Sequence, residues 1–558
     1  MDYKLKYYKY KLKYLKKKYD SVKYNLKGGL KEIKSTTDKF VIRKDIFNEN
    51  EQEQCLKSVN YNRKYVTNKK FLKFVQLYYH AGDIEDINKY GLDPIKKMFK
   101  QNKNKNNVIN KNNIFKNNIN EISKLYNNYN FKSIKNTLYY QFNKFKKGLL
   151  VVIKDNKLRV YLPFSNNSYI NEFSDYLYFE NENKNNLQKI KIYKNKKKLT
   201  NDEKQDYQNI INNSIKNLIT FSKKHKVKYL YNRDKWVSNN CLFRNTFPEY
   251  EGDKLTSEYK YLLNKLLEDR NIPDSIFFIN LRDFPLLKKN LTEPYEDIYD
   301  SKNKKMDKKY IFDSYCPILS RSSRDNYADI PIPTEDDIYR ISNKLFPDKC
   351  KNTYSKNRIN DINTKWDDKI NKAVFYGSAT GCGITTEDNM RLKAAEIASK
   401  NLSLLKVGIT NWNKRLKKNI NKPLDIINEN NFDFKLSKPI NHKERSQYKY
   451  ILIIDGHVSA FRLSFDLSLG SVLLIVESEN KLWFSHLLKP YVHYIPINKD
   501  LSNLIKIIKW CINNDNKCKE ISKNGINFYN KFLKKKGIFD YMEKILIDIS
   551  KKKLVNFK

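Results

Sequence analysis

The chain has 558 residues, room for about three to five domains of ordinary size or for two large ones. Hydrophobic residues make up 40% and aromatics 14%, which excludes wholesale disorder, and only 14 Gly and 14 Pro exclude collagen-like or Gly/Pro-rich architectures. The net charge of +47 points to an anionic partner such as nucleic acid or a membrane surface or, given the abundant Asn, Ile, Tyr and Phe, to an A/T-rich genome with only non-specific nucleic-acid binding.

In chain order, residues 1–29 stand apart. Leu5, Tyr8, Leu12, Leu15, Tyr19, Val22 and Leu26 alternate at intervals of three and four, the period of a coiled-coil seam, and Gly28-Gly29 follows where the helix stops. Ten Lys against two Asp in residues 1–27 make a homodimer self-repelling. The helix suits a coiled-coil partner with acidic flanks, a nucleic acid or an anionic membrane, or stands alone as a solvated basic helix. Residues 30–145 read as a helical extension of unknown function, with amphipathic pieces near 71–79 and an Asn/Lys-rich linker at 101–120.

Residues 148–154 and 157–162 predict two strands around a short polar turn, and 276–281 a further apolar strand. From about 371 the pattern sharpens. A strand at 373–376 runs into a small-residue loop and a helix at 389–399. A strand at 448–454 is followed by a helix at 459–469 closed by Gly470, a strand at 471–476 and an amphipathic helix at 501–513. Alternating strand and helix predicts an α/β fold with a parallel sheet. The domain boundaries expected are 146–370 and 371–558.

Seven scattered cysteines without a CxxC pair argue against a disulfide framework or structural zinc and for a reducing compartment. The chain opens on charged repeats and no apolar run approaches the ~20 residues that cross a bilayer, so the expectation is a soluble protein.

Four segments carry candidate chemistry. Asn280-Leu281-Arg282-Asp283-Phe284-Pro285 places a carboxylate just past a strand end, as a cap, a loop residue or a base. The loop Gly377-Ser378-Ala379-Thr380-Gly381-Cys382-Gly383 lies between strand and helix, where backbone N–H groups attract phosphate; it matches neither a P-loop nor a dinucleotide fingerprint. Asp455-Gly456-His457-Val458-Ser459-Ala460-Phe461-Arg462 sits at the carboxyl end of a strand, where open α/β sheets bind ligands. Arg462 is either a bidentate contact for a diphosphate or the partner of Asp466. His493 lies in an aromatic run, as a core histidine or a ligand contact. No Asp-x-Asp triplet occurs, so the usual sign of a carboxylate-held metal is missing.

These motifs, with Leu488-Lys489-Pro490 and His493-Tyr494-Ile495-Pro496, keep the order and spacing of glycosyltransferase family 90, which the chain resembles over about residues 230–545. Its Lys/Tyr/Leu opening is similar in style to proteins of large DNA viruses of amoebae. The resemblance implies a GT-B-like fold, two Rossmann-like domains facing across a cleft, and an inverting transfer from a UDP-sugar, glucose or xylose first, to a protein or glycan hydroxyl without an obligatory metal. It implies Asp283 as the base, with Gly377, Ser378, Ala379, Gly381, Gly456, Ser459, Phe461, Arg462 and His493 on the donor. Arg462 and backbone N–H groups of the 377–381 loop would meet the charge of the leaving diphosphate. One departure is Tyr376, where the family carries Arg; Arg391 and Lys393 are the candidates to replace that charge. With neither a secretory leader nor a lumenal retention tail evident, the expected place is a host cytoplasm or a virion. The rivals are a catalytically inactive relative and a basic scaffold or nucleic-acid-binding protein.

Overall fold

A computed structural model of the protein describes residues 109–115, 121–145, 147–165, 252–294, 305–341, 364–413, 417–419, 422–425 and 427–552, with short pieces at 33–34, 41–42, 189, 200–203, 205–206 and 209. The heptad segment at 1–29, the 71–79 helix and most of the Asn/Lys-rich linker lie outside the described residues. Ile33–Lys34 and Val41–Ile42 pair antiparallel.

The first sheet begins with a hairpin of Lys147–Lys154 (β1) and Lys157–Ser165 (β2). Its turn residues, Asp155 and Asn156, both have φ 54°. Positive φ at both positions is the turn geometry that matches strand twist, and Asp and Asn adopt it at the lowest cost after glycine. β1 pairs antiparallel with Ser275–Ile279 (β3), which continues in parallel through Ile318–Ser320 (β4) to Ile330–Pro331 (β5). Every residue of β1 and β3 is buried, which is why they read as continuous apolar runs instead of alternating ones. Phe131–Tyr140 (α1), Gly252–Asp269 (α2) and Glu335–Ile341 (α3) belong to this half.

The second sheet contains Ile370–Gly377 (β6), Leu405–Ile409 (β7), Tyr448–Ile453 (β8), Val472–Val476 (β9) and Ile495–Ile497 (β10), all paired in parallel. The order is β10-β9-β8-β6-β7. Met390–Ser399 (α4) packs on β7, and Ala394, Ala395 and Ala398 let it come close. His442–Ser446 (α5) precedes β8 and Leu463–Asp466 (α6) follows it. Leu504–Asn513 (α7) and Asp515–Phe532 (α8) pack against β6 and β9. The fold is therefore α/β, with two five-stranded sheets, the first mixed and the second wholly parallel, consistent with two Rossmann-like domains. Among the described residues no helix is long and apolar enough to cross a membrane.

Two expectations change. The helix foreseen at 459–469 is only α6, because Ala460 N–H donates to Asp455 Oδ1 (2.9 Å) and Ser459 turns toward Ser322. Gly470, at φ 64°, does close that segment. The last helix, Lys535–Lys551 (α9), packs on the first sheet: Tyr541 Oη donates to Pro331 O (2.6 Å) and Asp540 pairs with Arg270 (3.0 Å). α9 is buried over most of its length, and its Asp540 and Glu543 are among the buried residues.

Candidate active site at the carboxyl ends of the two sheets

In chain order the second sheet reads 2-1-3-4-5, so the connections reverse direction between β6 and β8. Open α/β sheets bind ligands outside the carboxyl ends at that reversal. The 377–383 loop leaves β6 there, and the 455–462 segment leaves β8 beside it. Arg391, in the first turn of α4, ties the two together. Its guanidinium donates to Ser378 O (2.8 Å) and Thr380 Oγ1 (2.6 Å) on one side, and to Ile454 O (2.9 Å) and Asp455 O (3.0 Å) on the other. Gly456 makes the approach possible, since a Cβ there would lie 2.5 Å from Thr380 Oγ1. Gly381 presses on Asn389 in the same way, and Asn389 caps α4.

Two loop amides have internal partners: Ala379 N–H donates to Asn411 O (2.9 Å) and Thr380 N–H to Ser378 O (2.8 Å). Ser378 N–H has no partner among the described residues. Asp455 is a bracket: its carboxylate accepts from Ala460 N, Ser478 Oγ and Asn480 Nδ2. Burial pushes its pKa up while those donors oppose the shift.

Arg462 donates to Tyr376 O (2.6 Å) and lies over the Phe375 ring at 4.8 Å, beside Arg391 at 5.5 Å from the same ring. Its contact with Asp466 is long, 3.9 Å, because Asp466 is held by Arg445 at 2.5 Å. Arg462 is therefore only loosely paired with Asp466. Burial, then Arg445, pulls the Arg462 pKa down to about 9, and burial pulls that of Arg391 down to about 10. Both remain cations at neutral pH, and Arg391 bonds only uncharged oxygens.

Asp283 belongs to the first sheet. The turn after β3 is shaped by Asn280, whose Nδ2 donates to Phe284 O (2.7 Å) and Ser320 Oγ (3.1 Å) and whose Oδ1 accepts from Arg282 N (2.7 Å). Asp329 anchors its far side by accepting from Leu286 N (2.8 Å) and Leu287 N (2.7 Å). Asp283 is left at the tip with its side chain 56% exposed. Arg321, just after β4, donates to Asp283 Oδ1 and to Glu335 Oε1 (3.0 Å) and lies over the Phe461 ring at 5.4 Å. Adjacent contacts join the same loops: Ser322 Oγ to Ser459 Oγ (2.9 Å), and Arg324 Nε to Asn480 Oδ1 (2.8 Å). Ser323 and Lys481 exchange backbone hydrogen bonds. Phe284, Cys382 and Phe461 pack around Val458.

The structure thus brings together Asp283, Gly377, Ser378, Ala379, Gly381, Gly456, Ser459, Phe461 and Arg462. It does not bring His493 to them. His493 precedes β10, at the opposite end of the parallel sheet; its Nδ1 accepts from Lys489 N (3.0 Å) and its ring packs on Phe528 at 5.0 Å. Tyr376 packs over Gly408 on β7, and Lys393 lies near Glu396 and Asp500. Sequence reading missed Arg321, Glu335 and Asp329. The only signal for Arg321 was a polar run, Ser320-Arg321-Ser322-Ser323-Arg324-Asp325, behind a three-residue strand. Among the described residues no cluster of three or more His, Cys, Asp or Glu could hold a metal ion.

Two Rossmann-like halves whose strand-end loops interlock, with a carboxylate on one and a glycine loop and arginines on the other, define an α/β protein with a composite site. The chain belongs to glycosyl transferase family 90, which matches residues 235–558, more than half of its length. It is 40% identical over 469 residues to uncharacterized protein 179R of Invertebrate iridescent virus 6, covering 76% of this chain and 37% of the viral protein. It is 33% identical over 499 residues to uncharacterized protein 035R of Invertebrate iridescent virus 3, covering 86% and 42%. Protein O-glucosyltransferase 2 of Danio rerio is 24% identical over 310 residues, covering 55% and 53%. The chain therefore spans well under half of these viral relatives and about half of the O-glucosyltransferase.

Proposed function

We propose that the protein is an inverting, metal-independent glycosyltransferase of GT-B architecture that moves a sugar, glucose or xylose first, from a UDP-sugar to a hydroxyl of a protein or glycan. The observation that carries the reading is Arg321, which touches both Asp283 on the first sheet and Phe461 on the second. The carboxylate and the switch-point loops therefore face one reaction centre. Asp283 takes the proton of the acceptor hydroxyl as its oxygen attacks the anomeric carbon. The bond to the diphosphate breaks on the opposite face, and the departing UDP carries the charge away. Arg462 and the Ser378 N–H meet that charge, with Arg391 adding its field. Those two arginines occupy the role a cation would otherwise fill. The interlocked loops limit water at the centre and so limit donor hydrolysis.

Thermal unfolding in EDTA, with millimolar UDP beside ADP and GDP, tests this. A ligand at 100 times its Kd adds about 2.7 kcal/mol to the native state. A UDP-selective rise followed by UDP release from a UDP-sugar supports the transferase. No rise with UDP refutes it. A second reading, donor binding without transfer, draws support from Tyr376 in place of the family arginine; it predicts the rise without UDP release.

A further inference from the structure

We propose that Arg321 is a positioning residue for Asp283, fixing the orientation of its carboxylate, while Glu335 shares its guanidinium. What Asp283 does rests on the transferase reading; the ion relay itself does not. A carboxylate on an exposed loop tip would otherwise sample several rotamers and titrate near pH 3.9. Arg321 has no such freedom. Its side chain is 6% exposed and is held by Asp283, by Glu335 and by the face of Phe461. By taking Oδ1 it sets the direction of Oδ2, the oxygen that would receive a proton. A planar fork gripped on three sides does this better than a flexible ammonium.

The charge arrangement gives the relay a sign. Arg321 is ion-paired with Asp283, and the neighbouring Arg282 directs its Nε to Phe145 O (2.9 Å). Behind Arg321 stand Glu335 and the buried Tyr259 phenol. Removing the Arg321 charge raises the Asp283 pKa. Removing the Glu335 charge unmasks Arg321 and lowers it further. A residue that only braced the fold would not move the two in opposite directions. The Arg321 Nε is buried with no acceptor among the described residues.

The test labels the full chain with a carbodiimide and glycine ethyl ester across pH 3–7, with Asp283 modification read by peptide mass spectrometry. Only the protonated carboxyl reacts. Arg321→Met should move the labelling midpoint up by about one unit or more, and Glu335→Gln should move it down. Arg321→Lys should fall between wild type and Arg321→Met. It carries the test together with Glu335→Gln if Arg321→Met melts. Shifts in one common direction, or none, overturn the proposal. With UDP-glucose as donor, Arg321→Met should raise the acid limb of kcat by the same amount and leave the donor KM within about twofold; a KM change with an unmoved limb also overturns it. Absence of UDP release by the wild type, with opposite labelling shifts intact, overturns the transferase reading and leaves the relay standing.

Discussion

Arg391 offers the sharpest separation between two roles, a clamp on two loops and a point charge for a diphosphate. It makes four hydrogen bonds of 2.6–3.0 Å, two to the loop after β6 and two to the strand end of β8. At about 1 kcal/mol net each, Arg391→Met should cost roughly 4 kcal/mol of unfolding free energy, somewhat less where water reaches the orphaned carbonyls. Arg391→Lys keeps the charge, but one ammonium reaches about two of the four oxygens, so roughly 2 kcal/mol should still be lost. If the clamp sets the crevice, both variants bind UDP at least tenfold more weakly, the equivalent of about 1.4 kcal/mol. If only the charge matters, Arg391→Lys binds UDP within about threefold of wild type. Denaturant unfolding and calorimetric titration with UDP give both numbers. An Arg391→Lys protein with unchanged stability and unchanged UDP affinity would refute the clamp.

Three further outcomes follow from the same geometry. Asp283→Asn should abolish transfer and leave UDP affinity nearly intact, and equal loss of both in paired turnover and titration assays would make Asp283 structural. Gly456→Ala puts a Cβ 2.5 Å from Thr380 Oγ1, which should cost about 1–3 kcal/mol in denaturant melts and weaken UDP binding; a neutral variant would mean the two loops are free to part. His442 is held neutral, its pKa lowered to about 4 first by burial and then by Arg445. The unfolded chain takes up a proton near pH 6.5 that the fold refuses. Stability is therefore fully present above pH 6.5 and falls toward pH 4, by about 2 kcal/mol once partial exposure is allowed for. His442→Phe should flatten that slope in melts taken across the range, and an unchanged slope would place the acid sensitivity elsewhere.

The loops were legible because each follows a strand that announces itself. β3, β6 and β8 are apolar runs that end abruptly in Asn280, Gly377 and Asp455, and a polar group behind a buried strand has few places to go except the sheet edge. Other features were hidden for physical reasons. β7 and β10 are short edge strands that tolerate Lys406, Gly408 and Pro496, residues that dilute a strand signal. The 459–462 stretch has helical composition, yet Asp455 takes the Ala460 amide and prevents the first turn. Arg321 is invisible because its importance lies in three partners far apart in sequence: Asp283, Glu335 and Phe461. His493 stands apart from the other motif residues because a motif keeps its order along the chain whichever end of a parallel strand it occupies.

Tyr376 looks at first like a lost charge, and the packing around it argues for a different account. Its ring lies over Gly408, where a Cβ would come within 2.3 Å of it, so the glycine on the neighbouring strand makes room for the tyrosine. The side chain thus fills a place on the β7 side, and its backbone carbonyl receives Arg462. Positive charge at the crevice comes instead from Arg391 and Arg462, which share the Phe375 ring. Burial disfavours both, and Arg462 is further disfavoured by the charges of Arg445 and Arg391. An anion entering between the loops would relieve that repulsion, so the cost of holding two buried cations together becomes a driving force for binding a diphosphate. On this account activity depends less on the residue at 376 than on whether Arg391 keeps both loops within reach of one ligand.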